Sequence, residues 1–527
     1  MFNRKRSLRQ VAAIASIGMV AGCGVFSDSG SDDRGPIVVG TTSPVSTLDP
    51  AAAWDGSWEL FRNVYQTLLA YPPGASTPEP DAAKSCEFTD TGNRTYRCEL
   101  RDGLTFSNGD KLDAQAVKHS IDRILEIAAP TGPAGLLGSL DRVQVRGDRE
   151  VVFQLNKPDA TFPFVLATPA MSIVAPDDYP ADALREGSGV VGSGPYKLDS
   201  YKEGESAELV RNDRYKGFAD RQNDAVSIRY FHDSATMVKA LRDRQIDVTY
   251  RGLAADDIVS LESKNSENEG LQIVEGTGAS IDYLVFNPKD KWAAKPAVRK
   301  AIAQIVDRAA LAHTIYKNTV QPLYSMVPQG LTGHTTAFFD DFGNPDADKA
   351  REILTDAGIT DPVPLTFWYT SDRYGSEIAL QFKELKRQLE ATGLFEITLK
   401  SRPWKDYVDG YQKGEYPVFG RGWSPDFPDA DNFIAPFVGK QNALGTPYEA
   451  NRITDVLLPR SRQESDRANV VKDFEEAQRV LVRDVRLLPL WQGKQYVAAN
   501  EDISGAERSM DASTIMLLWE LSRKTSW

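Results

Sequence analysis

The run Ile281-Asp282-Tyr283-Leu284-Val285-Phe286-Asn287, near the middle of a 527-residue chain, is strongly strand-forming. A long helix is expected directly after it. Pro296 falls in the first turn of that helix, and Val298, Ile302, Ile305 and Val306 form its buried stripe. A second strand is expected at Leu487 to Leu490. Between the two strands the pattern is helical at three further places. Asn344-Pro345 opens a helix closed by Gly358. Ser376 opens another, with Ile378, Phe382, Leu385 and Leu389 inward and Gly393 at its end. An amphipathic helix around 465 to 483 uses Val470, Val471, Phe474, Ala477 and Leu481. The two strands therefore bracket a self-contained α/β stretch.

Upstream the alternation continues. Ile37 to Thr41 is a short apolar strand, and Asp113 caps a helix carrying Val117, Ile121, Ile124 and Leu125 that Pro130 ends. Ser234 starts a helix with Met237, Val238 and Leu241 inward, followed by a strand at Ile246-Asp247-Val248. This is the pattern of an α/β protein with covered sheets. The chain exceeds one ordinary core, so two or more packed units are expected. The absence of a tandem repeat argues against a solenoid.

The start of the chain is a targeting segment. Arg4, Lys5, Arg6 and Arg9 form a positive region, and Val11 to Val20 an apolar stretch too short for a stable span. Val20-Ala21-Gly22-Cys23 resembles the lipobox of bacterial lipoproteins, which implies a diacylglyceryl group on the Cys23 thiol; a plain secretory signal is the alternative. Residues 24 to 36 are small and polar, as a flexible tether would be. Residues 86 and 98 stand equally far from Gly92 in the turn cluster Asp90 to Arg94, between strands expected at Ser85 to Thr89 and Thr95 to Leu100. A hairpin brings Cys86 and Cys98 face to face, and outside the cytoplasm a disulfide between them persists; two buried free thiols are the alternative.

The formal charge of -13 becomes -17 once the four basic residues of the targeting segment are removed. Nucleic acid, which demands clustered basic residues, is excluded as a partner, and so is docking of the body on anionic lipid. A secreted hydrolase is the enzyme reading to test. His119, His232, His313 and His334 are scattered, with no zinc spacing, so no metal site is expected. Gly192-Ser193-Gly194 does not complete a nucleophile elbow, and phosphate-cradling glycine motifs are lacking. Paired carboxylates stay open among 74 acidic residues, because sequence distance says nothing of spatial separation. The chain reads as a non-enzyme without a cofactor.

The stretch Leu100-Arg101-Asp102-Gly103-Leu104-Thr105-Phe106-Ser107-Asn108-Gly109-Asp110-Lys111-Leu112-Asp113-Ala114, continued by Val117, Ser120 and Arg123, resembles the signature of the family 5 extracellular solute-binding proteins. Further blocks match in order: Gly192 to Tyr196, Arg211 to Tyr215, the strand ending in Asn287, Val298 through Arg308, Asp348 through Gly358, and Gly422 to Phe433. Together they cover residues 37 to 500. The resemblance implies a two-lobed, class II clamshell of the periplasmic-binding-protein type, with mixed sheets, an extra subdomain and a two-strand hinge. Residues 37–285 are then lobe I, with an inserted subdomain at about 56–190; residues 286–489 are lobe II; residues 490–527 return to lobe I. Residues 1–22 are the signal and 23–36 the tether. The implied role is that of a monomeric lipoprotein on the extracytoplasmic face of the cell membrane, held there only by its lipid. It captures peptides for the permease and ATPase subunits of an ABC importer.

The same resemblance nominates ligand contacts. Asp426 matches the aspartate that pairs with a peptide's amino end, and a buried ammonium needs such a carboxylate. Asp429 and Asp431 are expected to brace the loop. Trp423, Trp404 and Tyr407 from lobe II and Trp54 with Trp58 from lobe I are aromatic candidates, with core packing as their rival role. For a ligand carboxylate, Arg373 falls near the arginine of dipeptide binders. Arg421 falls one residue out of register with that of oligopeptide binders. If neither points inward, the ligand need not carry a free carboxylate. Relatives of this family also take oligosaccharides, opines or metal chelates, so a non-peptide solute is the alternative; few histidines argue against nickel and haem.

Overall fold

The computed structural model describes residues 35–263 and 269–524. Cys23 and the whole targeting segment lie outside the described residues. One mixed sheet of eleven strands organises the chain. From one edge it runs Phe395–Arg402, Val363–Thr370, Val418–Trp423, Leu271–Phe286, Leu487–Asn500, Val248–Tyr250, Ile37–Thr41, Ala225–Tyr230, Ser206–Arg211 and Tyr196–Lys202, with Val320–Pro322 added on the strand Leu487–Asn500. Ile37–Thr41 pairs in parallel with both its neighbours, and Val363–Thr370 does the same at the other end. The central pairs are antiparallel.

The fold is the two-lobed clamshell of periplasmic binding proteins, and two long central strands connect its halves. Leu271–Phe286 and Leu487–Asn500 pair along nearly their whole length, from Leu271 opposite Asn500 to Val285 opposite Leu487. Both are longer than their apolar runs suggest. Residues 271–280 carry Glu275, Gly276 and Gly278, which mask the strand signal, yet Leu271 to Thr277 pair residue by residue with Asn500 to Lys494. The register shifts between Thr277 and Ile281. There the backbones approach closely: a Cβ on Gly278 would lie 2.4 Å from the Gly493 carbonyl oxygen, so no side chain fits.

Side-chain alternation along these strands feeds separate cores. Leu284 and Phe286 join the helices Pro296–Ile305 and Ile378–Ala391 on one face of the sheet through Val298, Ile302, Phe382, Leu385 and Leu389. Ile281, Tyr283 and Val285 point the other way, into a cluster with Phe419, Phe433, Phe437, Phe474 and Leu481. The N-terminal half has its own core, built on Ile37, Val39, Phe61 and Phe153. Val497, Ala499, Leu517 and Trp519 from the C-terminal segment complete it. Helix starts follow their caps: Asp113 accepts from the Gln115 and Ala116 N–H groups and starts Ala114–Ile127. The helix expected from Ser234 is capped one residue earlier, by Asp233. The strand expected at 246–248 begins at Val248: Ile246 still bonds back to the helix at the Ala240 carbonyl, and Asp247 makes single backbone bonds to Val38 and Asn500.

A separate four-stranded antiparallel sheet is inserted after the first strand, in the order Ala83–Phe88, Thr95–Leu100, Glu150–Leu155, Leu140–Arg146. Cys86 stands directly opposite Cys98 on its first two strands, and the two form a disulfide. Thiol labelling in denaturant should therefore find neither cysteine reactive until reductant is added. Reduction should cost about 3 kcal/mol of stability, the loop-closure value for a ring of this size. Two thiols reactive before reduction would refute the bridge.

Candidate functional site

A cleft of about 650 Å³ opens beside the two central strands, within the roughly 300–1,000 Å³ usual for small-molecule sites. Trp54, Trp58, Glu59, Arg251 and the loop 513–515 line it from the N-terminal half. Arg373, Tyr374, Trp404, Arg421, Trp423 and Asp426 line it from the other, and Asp282 and Trp491 come from the central strands. A second pocket of about 350 Å³ adjoins it and shares Trp54, Trp423 and Ala443.

Asp426 sits where the two halves meet. The strand Val418–Trp423 ends just before it, and a 3₁₀ turn, Ala430–Phe433, begins just after. Asn432 in that turn holds the aspartate at two points. Its Nδ2 donates to Asp426 Oδ2 (2.8 Å), and its Oδ1 accepts from the Asp426 backbone N–H (2.9 Å). The Trp423 indole N–H also donates to Asn432 Oδ1 (3.2 Å). From the opposite half, Trp54 Nε1 donates to Asp426 Oδ1 at 2.6 Å. Asp426 is 6% exposed, and among the described residues neither oxygen meets a cation. Burial raises its pKa above the ordinary carboxylate value, and the bonds from Asn432 and Trp54 oppose that shift.

The neighbouring acids behave differently. Asp429 caps the 3₁₀ turn and takes a two-point ion pair from Arg467 (2.7 and 3.0 Å); Asp431 takes one from Arg462 (2.8 Å on each arm). Both are braces, and their arginines leave Asp426 as the acid of that loop without a charged partner.

The aromatic candidates divide. Trp54 is 42% exposed in the cleft, which leaves an indole face available to a ligand. Trp58 is buried at the wall, with Nε1 donating to the Ala53 carbonyl (3.0 Å). Trp423 combines both roles: it lines the cleft and packs edge-on against Phe437, 5.1 Å away. Trp404 opens the helix Trp404–Gln412 and lies beneath the Arg373 guanidinium, 4.4 Å from its ring centre. Tyr407 corrects the sequence expectation. It is fully buried one turn further along, its hydroxyl donates to the Gly420 carbonyl (2.8 Å), and it does not line the cleft. Helical spacing turns position 407 toward Tyr411, Tyr416 and Phe419, while Trp404 faces out.

Both arginine candidates reach the cleft. Arg373 is exposed on the loop after Val363–Thr370. Arg421 is 8% exposed on its strand, with its guanidinium 4.7 Å from the Tyr411 ring centre and Nη1 on the Ala443 carbonyl. Its Nε has no partner among the described residues, so it keeps a donor in reserve.

Among the residues at or beside the cleft that the sequence does not mark as contacts are Glu59, Arg251, Asp282 and Asn432. Asn432 was visible only as part of its block. Glu59 forms a buried ion pair with Arg251, and burial pushes its carboxyl up to about 7. Asp282 hid inside an apolar strand. Burial pushes its carboxyl up from 3.8 to about 8, opposed only by a hydrogen bond from Gln381.

Residues 77–445 match the model of the bacterial extracellular solute-binding proteins, family 5. The probable D,D-dipeptide-binding periplasmic protein DdpA of Escherichia coli K12 is 27% identical over 485 residues, covering 89% of this chain and 90% of the relative. The glutathione-binding protein GsiB of the same strain is 24% identical, with 89% and 91% covered. In fold, the chain superposes on the periplasmic binding protein DppA of Helicobacter pylori, solved with the peptide STSA. The TM-score is 0.77 at 23% identity, covering 93% of this chain and 98% of that one.

The Asp282 shift has a consequence for stability. Between pH values of about 4 and 8 the unfolded chain has released this proton and the folded one keeps it, so stability falls as pH rises through that window. Asp282→Asn cannot ionise. In ligand-free thermal melts its Tm relative to wild type should climb steadily from about pH 4 to about pH 8. Glu59 and other shifted acids are present in both proteins and cancel in the difference. A difference that stays constant with pH would contradict the assignment.

Proposed function

The chain belongs to the bacterial extracellular solute-binding proteins, family 5, and from that premise we propose that it captures peptides outside the cytoplasm and passes them to an ABC importer. The observation that carries this reading is the Asp426 carboxylate, buried between the halves with two neutral donors and no cation. Water is excluded there, and an unpaired carboxylate is costly. A peptide's terminal ammonium supplies the missing charge. On binding it displaces or joins the Trp54 N–H, a neutral donor that stands in for the ligand across the cleft.

Arg373 and Arg421 take the opposite end of the ligand, where the planar guanidinium fork matches a carboxylate. Trp54, Trp423 and Trp404 pack against the peptide between its ends. The pocket beyond Trp54 and Trp423 gives room for a longer chain. Residues 37–285 with the C-terminal segment act as one lobe and 286–489 as the other. The register shift at Thr277–Ile281 serves as the flexure between them. The names of DdpA and GsiB point the same way, since dipeptides and glutathione carry free amines.

We further propose that Cys23 carries the lipid that tethers the protein to the membrane. Cys23→Ala should move the protein from the membrane fraction to the soluble extracytoplasmic fraction. Retention at the wild-type level would refute the anchor.

The ligand assignment is tested by calorimetry with a short free-amine peptide and its N-acetylated twin. Wild type should bind the first and lose the second. Asp426→Asn keeps the shape but removes the charge, so affinity should fall on the order of a hundredfold, and the preference between the two peptides should disappear. Equal binding of both peptides by wild type, or binding of sugars alone, would overturn the peptide reading.

A further inference from the structure

We propose that Asp282 is a second acidic subsite on the cleft floor, which takes the ammonium of a basic side chain on the bound peptide. The inference rests on the reading of the cleft as a peptide site and adds a preference for ligands with two amines.

Each other acid of the cleft is accounted for in a way that Asp282 is not: Asp55 is exposed to water, and its Oδ1 accepts from the Ser57 backbone N–H (2.8 Å). Glu59 is paired with Arg251, and Asp426 has one neutral donor on each oxygen. Asp282 lines the cleft, is fully buried, and has a single partner: Gln381 Nε2 donates to its Oδ1 at 2.9 Å. The orientation of that amide is forced. Gln381 Oε1 accepts from the Trp491 indole N–H (2.7 Å) and lies 2.6 Å from the Tyr316 hydroxyl. An indole nitrogen only donates, so the amide nitrogen must face Asp282. Asp282 Oδ2 is left with no hydrogen-bond partner among the described residues.

A buried carboxyl oxygen without a hydrogen-bond partner is costly. Replacing Asp282 by an apolar residue would remove the cost, so its presence at the floor of a binding cleft has the character of a ligand contact. The charged and titratable groups around it supply no cation within ion-pair distance. Tyr316 and Glu377 lie on the helix side, Tyr283 and Tyr407 behind the sheet, and Tyr374 and Arg421 beside the neighbouring strand. Glu59 and Arg251 face it across the cleft, already paired with each other.

In the empty cleft the acid keeps its proton at neutral pH. When an alkylammonium arrives at Oδ2, the carboxylic acid gives that proton to solvent and the resulting carboxylate pairs with the ammonium. One proton is released per ligand bound. An uncharged side chain at the same place releases none.

The test is calorimetry at about pH 7 in two buffers of different ionisation enthalpy. Ala-Ala serves as the neutral reference. The probes are dipeptides with diaminobutyrate, ornithine or lysine at either position, each set against its uncharged hydrocarbon counterpart. At least one basic peptide should bind about tenfold or more tightly than its counterpart and release a proton that the counterpart does not. In Asp282→Asn both effects should vanish. The proton count is read on wild type alone, so it decides the matter even if the variant folds poorly. Equal affinity and equal proton release for basic and neutral peptides, with Ala-Ala still bound, overturns the Asp282 subsite and leaves the peptide reading standing. Persistence of the preference in the variant overturns it too. Failure of every free-amine peptide to bind overturns both.

Discussion

An unpaired carboxylate held away from water sets the terms for this protein. Asp426 is buried where the two halves of the fold face each other, and the protein offers it only hydrogen bonds from uncharged groups. Those bonds orient the carboxylate without neutralising it. The surrounding architecture follows from keeping it so. Asn432 fixes its backbone and one oxygen from within the loop, and Arg462 and Arg467 are consumed by Asp431 and Asp429, which keeps positive charge off the site. Trp54 reaches it from the other half, making one hydrogen bond dependent on how the halves sit. In the proposed role, a ligand that brings its own cation would pair with the carboxylate and engage both halves at once.

The two central strands make that engagement possible. They are continuous across the molecule, so the halves share one sheet. Yet the ladder slips at Thr277–Ile281, where the Gly278 and Gly493 backbones approach too closely for a side chain at Gly278. Rigid cores on either side of a locally weak crossing are what a hinge motion requires. Asp282 and Trp491 lie immediately beyond the slip, so this part of the cleft wall adjoins it.

Much of this was legible in the sequence, and the exceptions share a cause. Helices announced themselves through caps and apolar stripes, as at Asp113 and Pro296, because those signals are local. The hairpin pairing of Cys86 with Cys98 was legible for the same reason: a symmetric turn fixes register over twelve residues. The strand from Leu271 was seen only in its second half, since Glu275, Gly276 and Gly278 are poor strand formers that only the long-range partner 494–500 holds extended. Tyr407 was misplaced because an aromatic near a cleft and an aromatic in a core look alike until the helix phase is known. Asp282 escaped because its one partner, Gln381, is 99 residues away. Asn432 escaped although its partners Asp426 and Trp423 are near in sequence, because an asparagine's hydrogen bonds leave no periodic signal.

The central claim is that a ligand's amino terminus completes the charge at Asp426. The crystal structure of the mature protein with a bound free-amine peptide tests it most directly. The terminal nitrogen should lie within hydrogen-bond distance of an Asp426 carboxylate oxygen, with the peptide running along the cleft toward Arg373 or Arg421. A peptide bound with its amino terminus elsewhere, and Asp426 still contacted only by Trp54 and Asn432, would contradict it.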